Sequence, residues 1–514
     1  PSWTRLKYFP YVIGIIYTIS IIVVALIWHK IGDYSVETDF YWTYAPQAAK
    51  LSSGELTIDN FKGPGYPILL TIVNLFTADY FIAGIIISAI SAGIVLIMLY
   101  KLLAKYFSYD VSLLVILLTV TNKIFVQYSY TASTDMVFYA LIMISVYIFW
   151  SDEKLFGRKF AICGVLSGFT YLVRYNGVVL FFVFIFLILI LNIFNKSIYK
   201  RFSYILFFIS GYLSVVLPWS IFLYLNTGDM FYQKNYLNIA FELYGKRYFS
   251  WDDWWTQESS KFTSFSDVIF HEPLTFLKIS LMNVYYHLLD DLILLIDYWV
   301  GLFSLIAIFM LKTFKLERKQ LAIIIFGASY FIFLLPVFYA ERFTLPLLSI
   351  YFLLAVIFFA WVVSRKFKII NHTIILIIIS ILLLLSGFNT VNYNAGQIVM
   401  GPKDVLNIAS DFYKNFPSSE KGKVIIARKP QIAYQLQMKF EQFPNVTDLN
   451  QLVSEIHKKR ADYLYFSSME AKMRPQFKKI FRGDAAPAGF ELIAISKNPV
   501  ALLYRINLNK LSSE

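Results

Sequence analysis

The sequence predicts an all-α, polytopic membrane domain of about eleven spans, followed by a small α/β domain. Three observations carry this. Of the 514 residues, 58% are hydrophobic and 15% charged, which excludes disorder and an ordinary soluble enzyme. The apolar residues arrive in runs long enough to cross a bilayer, which takes roughly 20 residues each. From residue 389 onward the runs stop and 29 of 126 residues are charged, against 50 of 388 before it. The expected division is therefore 1–388, membrane-embedded, and 389–514, water-exposed.

The expected spans lie at 11–29, 81–103, 110–128, 133–150, 160–175, 177–194, 203–225, 287–311, 321–339, 343–363 and 370–388. Between alternate spans lie Arg5 and Lys7; Lys101 and Lys105; Lys154, Arg158 and Lys159; Lys196, Lys200 and Arg201; Lys312, Lys315, Arg318 and Lys319; Arg365, Lys366 and Lys368. These segments hold 17 of the 28 Lys and Arg before residue 389. Basic residues are retained in the cytoplasm, so this register predicts a cytoplasmic N-terminus and an external C-terminal domain. Of 22 acidic residues before position 389, only Asp110, Asp152, Glu153 and Glu317 fall on the cytoplasmic side. No small-x-small cleavage site follows the first span, which reads as a retained anchor. The formal charge of +13 follows this topology and gathers on no basic face, so no nucleic acid partner is implied.

Two outer loops are long, about 30–80 and 226–286, and rich in aromatics and acids. A transporter keeps its polar groups inside the bundle near the midplane. Here they gather at the outer surface, which favours chemistry there. The tail alternates helix-like and strand-like segments: helix 404–416, strand 424–427, helices 431–437 and 449–460, strand 463–466, helix 469–481, and strands near 492–495 and 501–505. That order predicts βα units and a mostly parallel sheet. No glycine-rich phosphate loop follows a strand, so no nucleotide site is expected. That absence and its place after the last span suggest that the tail gates or orients an acceptor and does not catalyse.

Asp39, in Glu37-Thr38-Asp39-Phe40-Tyr41-Trp42, falls about ten residues past the first span. A carboxylate there can serve as a general base or metal ligand, or merely cap a helix. Lys62-Gly63-Pro64-Gly65-Tyr66-Pro67 precedes an apolar run, 68–76, that is too short to span and is expected along the interface. Asp135 opens the fourth span, where an acid is costly unless paired or hydrated, or caps the helix. Arg174 and Arg342 stand on the outer side against the positive-inside trend, which suits an anion such as phosphate. For Arg342 the alternative is a salt bridge to Glu341 or to an acid of the second loop. Asp290, Asp291 and Asp297 are candidates to pair with either arginine. The stretch from Tyr244 to Trp255 suits sugar faces or an interfacial belt. The five histidines show no metal-ligand spacing, and the single Cys163 excludes an internal disulfide and a cysteine zinc cage.

Together these residues resemble the GT-C membrane glycosyltransferases. The features are an inside N-terminus, an acid after the first span, the Gly-Pro-Gly-Tyr-Pro segment, Asp135, Arg174, and Arg342-Phe343-Thr344-Leu345-Pro346. The branch looks like the bacterial relatives of the protein O-mannosyltransferases and the lipid A aminoarabinose transferase, that is, glycosyltransferase family 39-like. Ala427-Arg428-Lys429-Pro430-Gln431-Ile432-Ala433-Tyr434 looks like a segment of members that carry a periplasmic C-terminal domain.

The resemblance implies transfer of a sugar from a polyprenyl phosphate donor to a lipid, glycan or protein acceptor at the periplasmic face of a bacterial inner membrane. It implies that Asp39 is the catalytic acid, that Asp135 places the acceptor or a cation, and that Arg342, with Arg174 as a weaker match, contacts the donor phosphate. The family's usual Asp-Glu pair is absent, so the choice between Glu37 and Asp39 as base stays open. No cofactor is fixed, and a divalent cation stays open too. The rivals are a lipid-linked glycan transporter and a non-catalytic envelope scaffold.

Overall fold

The computed structural model describes residues 2–151, 156–364, 372–416, 420–482 and 486–511. The basic positions Lys154, Arg365, Lys366 and Lys368, the acids Asp152 and Glu153, and the first two residues of the expected eleventh span lie outside them. The chain forms two compact units, one of residues 1–26 and 47–395, the other of residues 27–46 and 396–514.

The first unit is helical. Among the described residues, 5 helices are long and apolar enough to cross a membrane, or 6 if one bent pair counts as a span. They are Phe9–Trp28, Tyr80–Tyr106, Ile198–Thr227, Glu341–Ser364 and one that begins at Ile377. Shorter apolar helices include Gly65–Thr77, Asp135–Phe149, Tyr175–Leu189 and Tyr298–Phe309. The expected span 110–128 is the bent pair, Tyr109–Val120 and Lys123–Tyr130, turned by 67°. The cause is local: Asn122 leaves the helix and caps the next one, its side chain accepting from Phe125 N at 2.8 Å. The expected span 287–311 is likewise interrupted, because a π-helical turn at Asp291–Leu295 precedes the helix that starts at Tyr298. Much of the loop expected at 226–286 is helical, and helix Pro273–Asp290 crosses its expected boundary. Trp254 there is neither a sugar platform nor a belt residue. It is 1% exposed and packs with Leu237, Leu243 and Phe262 in a small core of its own.

Helices Phe156–Val173 and Ile198–Thr227 approach backbone to backbone. A Cβ at Gly164 would lie 2.0 Å from the Phe208 carbonyl oxygen, and one at Gly211 2.0 Å from that of Ala161. In lipid, where apolar burial does not drive helices together, such small-residue contacts do.

The second unit is a 5-stranded sheet in the order β2-β1-β3-β5-β4. The strands are β1 (Val424–Ala427), β2 (Lys439–Gln442), β3 (Tyr463–Ser467), β4 (Phe490–Lys497) and β5 (Val500–Ile506). Alternate residues feed two cores: Ile425, Tyr463 and Leu503 meet helix Lys403–Asn415 on one face, and Ile426, Leu464 and Tyr504 meet helix Leu449–Lys459 on the other. The expectation of a mostly parallel sheet needs correction. β1 pairs in parallel with β2 and β3, but β5 is antiparallel to both β3 and β4. Asn498 and Pro499 alone join β4 to β5, and so short a link permits only a hairpin. The expected helix 469–481 stops at Met473 because Pro475 cannot continue it.

Gly211→Val is expected to part the two close helices, at a cost of about 1–3 kcal/mol in packing. The check is thermal unfolding of the detergent-purified protein. Gly396→Ala, where nothing lies within 4 Å of the new carbon, is expected to leave the transition unmoved.

Candidate functional site

In the helical unit, Asp135, Arg174 and Arg342 come together. Asp135 is the first residue of helix Asp135–Phe149, where the helix dipole favours an anion. Its side chain is 1% exposed and accepts a hydrogen bond from the Arg174 guanidinium. Arg342 Nε lies 3.8 Å from the same carboxylate oxygen, with 23% of its side chain exposed. Arg342 therefore meets Asp135, a partner that its sequence neighbours did not suggest. The Phe343 ring centroid lies 5.2 Å from the Arg174 guanidinium carbon and 5.4 Å from that of Arg342. Two guanidiniums on one carboxylate give the trio a formal charge of +1, suited to an anion.

The sequence builds this cluster through helix breaks. Helix Phe156–Val173 ends just before Arg174, which is extended (φ −148°), and a 3-10 turn at Tyr175–Gly177 starts the next helix. The Gly-Pro-Gly motif explains why the break stays in place. A Cβ at Gly63 would sit 2.2 Å from the Leu172 oxygen and one at Gly65 2.7 Å from Val173 N, so both glycines lie directly on the backbone that precedes Arg174. The segment that carries Arg342 is pinned on both sides. Tyr330 donates to Phe343 O at 2.8 Å, and the hydroxyls of Tyr339 and Tyr351 donate to Asp291 at 3.1 and 2.8 Å. Asp291, a candidate partner for either arginine, thus takes hydroxyls, and Asp297 takes Asn389 at 3.1 Å and the Ser386 hydroxyl. Tyrosines 339 and 351 carried no sequence signal, because neither stands out from the surrounding aromatics.

Glu37 and Asp39 belong to the other unit. Glu37 is 0% exposed; His29 Nε2 lies 3.0 Å from one of its oxygens and Asp33 N donates to it at 3.0 Å. Asp39 is half-buried and precedes a π-helical turn, Phe40–Tyr44, which its side chain does not cap. The helix-cap alternative for Asp39 is therefore not what the structure forms. Burial, reinforced by Glu37, pushes the Asp33 carboxyl up. Lys429 of the C-terminal stretch donates to Thr38 Oγ1 at 3.3 Å. Burial and the adjacent Arg428 hold its ammonium below the usual lysine range, and Asp39 and Asp33 oppose that shift. Among the described residues, no three His, Cys, Asp or Glu side chains are grouped to hold a metal ion.

Residues 62–222, less than half of the chain, match the family model described as dolichyl-phosphate-mannose-protein mannosyltransferase. The structure is similar to that of ArnT from Cupriavidus metallidurans bound to undecaprenyl phosphate, with TM-score 0.62 and 11% identity, over 99% of this chain and 100% of that chain. It is also similar to the Archaeoglobus fulgidus oligosaccharyltransferase tethered to an acceptor peptide, with TM-score 0.59 and 14% identity, over 99% and 75%. The AglB oligosaccharyltransferase of that organism, in complex with an inhibitory peptide and a dolichol-phosphate, gives TM-score 0.55 and 12% identity, over 98% and 75%. No curated protein sequence matches.

Arg174→Ala strips the buried Asp135 of its hydrogen-bonded partner, and is expected to cost about 3–5 kcal/mol of stability. Adding Asp135→Asn is expected to recover a large part of that loss. Thermal unfolding of the single and double variants makes the comparison.

Proposed function

We propose that this chain, a multi-pass membrane protein with the fold of the GT-C glycosyltransferases, transfers a sugar from a polyprenyl-phosphate donor to an acceptor hydroxyl, with inversion. The observation that carries the reading is the pair of arginines on Asp135, a cationic cluster in a helical unit of this fold. In the proposed reaction Arg342 and Arg174 hold the donor phosphate. That group leaves without protonation and needs only charge stabilisation. Asp39 takes the proton of the acceptor hydroxyl as its oxygen attacks the anomeric carbon. One displacement inverts the configuration. Asp39 is preferred over Glu37 because Glu37 is fully buried and engaged by His29, a positioning role. Asp135 orients the arginines. No step is assigned to a cation. In this reading the chain crosses a bacterial inner membrane eleven times, with a cytoplasmic N-terminus and a periplasmic C-terminal domain.

Mass spectrometry of envelope glycolipids and glycans, with and without the gene, identifies sugar and acceptor. With those substrates and the purified protein in nanodiscs, Asp39→Asn is expected to lower turnover at least about a hundredfold and to retain the donor. Arg342→Ala is expected to weaken donor binding by about 1.5–3 kcal/mol. Normal turnover in Asp39→Asn with loss in Glu37→Gln moves the base to Glu37. Normal turnover in both sinks the transferase mechanism.

Orientation is checked separately. Ser260→Cys and Ser454→Cys, at exposed positions in a Cys163→Ser background, are expected to react with a membrane-impermeant thiol reagent in intact spheroplasts. Reaction only after lysis inverts the topology.

A further inference from the structure

Strand β1 has parallel neighbours on both sides, β2 and β3. The chain leaves β1 for β2 through helix Gln431–Leu436 and reaches β3 through helix Leu449–Lys459. The carboxyl end of β1 is therefore the switch point of the sheet, the place where open α/β sheets take their ligands. Here that end carries Arg428-Lys429-Pro430. Arg428 N donates to Glu470 at 2.7 Å, and Ser467 N donates to the same carboxylate at 2.9 Å, so the turns after β1 and β3 are tied together.

Against this edge lies the protein's own segment around Asp39. Gln431 Nε2 donates to Asp33 O at 2.7 Å, and Lys429 Nζ donates to Thr38 Oγ1 at 3.3 Å. The Tyr434 ring is 4.9 Å from that of Tyr41 and 6.2 Å from that of Phe40, and Phe440 is 5.1 Å from Trp42. The aromatic contacts and the Gln431 hydrogen bond suffice to attach the segment. They do not account for Lys429. A half-buried ammonium beside another cation is costly as a tether, since a neutral donor would serve Thr38 without the desolvation. The negative charge of Asp39 and Asp33 offsets part of that cost; of the segment's other charged groups, Glu37 and His29 engage each other and Lys30 is a further cation.

We infer that Lys429 is a positioning residue for the reaction: its hydrogen bond to Thr38 sets the direction of the adjacent Asp39 carboxylate, and its positive charge acts on that carboxylate. The C-terminal unit then contributes to the chemical step as well as to acceptor orientation. This rests on the reading of Asp39 as the base, and the experiment separates the two.

Variants are expressed at matched levels in a strain lacking the gene, and the initial rate of appearance of the sugar-modified envelope product is measured by mass spectrometry. Binding of undecaprenyl phosphate to each purified variant is measured alongside. Lys429→Met is expected to lower the rate at least about tenfold with undecaprenyl phosphate binding unchanged, and Lys429→Arg to restore most of it. Lys429→Gln, which keeps a donor for Thr38 without the charge, is expected to follow Lys429→Met. In an Asp39→Asn background, Lys429→Met is expected to cost nothing further, because both changes remove the same contribution. Wild-type rates in Lys429→Gln overturn the inference, as does a full further loss from Lys429→Met in the Asp39→Asn background. If Asp39→Asn itself keeps the wild-type rate, it is the base assignment that falls.

Discussion

A carboxylate buried in a largely apolar helical unit cannot stay charged alone, and much of the helical unit follows from how Asp135 is answered. Its partner, Arg174, can reach it only if a helix stops at Val173. That stop is held by the glycines at 63 and 65, which let another stretch of backbone press against residues 172 and 173. Arg342 comes to the same oxygen from the opposite end of the sequence, on a segment fixed by Tyr330 and by the two tyrosines on Asp291. A charge pair, a helix break, a glycine motif and a buried acid are thus one arrangement. Its net charge is positive because a second arginine joins a pair already balanced.

The second unit solves a different problem. Its sheet has apolar residues on both faces, covered by helices, and its polar edge strand β2 is exposed on one side only. Residues 27–46 belong to this unit by their packing: Ile31 and Tyr34 join the core under helix Lys403–Asn415, and Tyr34 and Tyr465 both reach Asp404. Burial pushes the Asp404 carboxyl up, and the two hydroxyls partly compensate.

What the sequence made legible was whatever repeats or contrasts locally. The apolar helices, the change of composition near 389 and strands β1, β3, β4 and β5 all carry such a pattern. β2 does not: Lys-Phe-Glu-Gln has no apolar alternation, because an edge strand buries little. The prominence of Asp135, Arg174 and Arg342 was visible as charge out of place, and their mutual pairing was not, since 39 residues separate the first two and pairing across such distances leaves no periodic trace. Asp291 shows the same limit: an acid among apolar residues signals that a partner exists, without saying whether it is a guanidinium or a phenol. Lys429 stood in a segment singled out by likeness, and its contact with Thr38, which ties it to the first loop, left no mark in the sequence.

The packing of residues 27–46 with residues 396–514 also sets an order in time. The chain is made from its N-terminus at about 5–20 residues per second, so Asp39 exists for roughly twenty seconds or more before β1 and the Lys429 turn are synthesised. Throughout that interval the early segment has no sheet to rest on, and its closure onto the late one is a contact of very long sequence separation, the slowest kind to form. A chain cut short after the apolar helix that begins at Ile377 therefore has a first loop with no sheet to rest on.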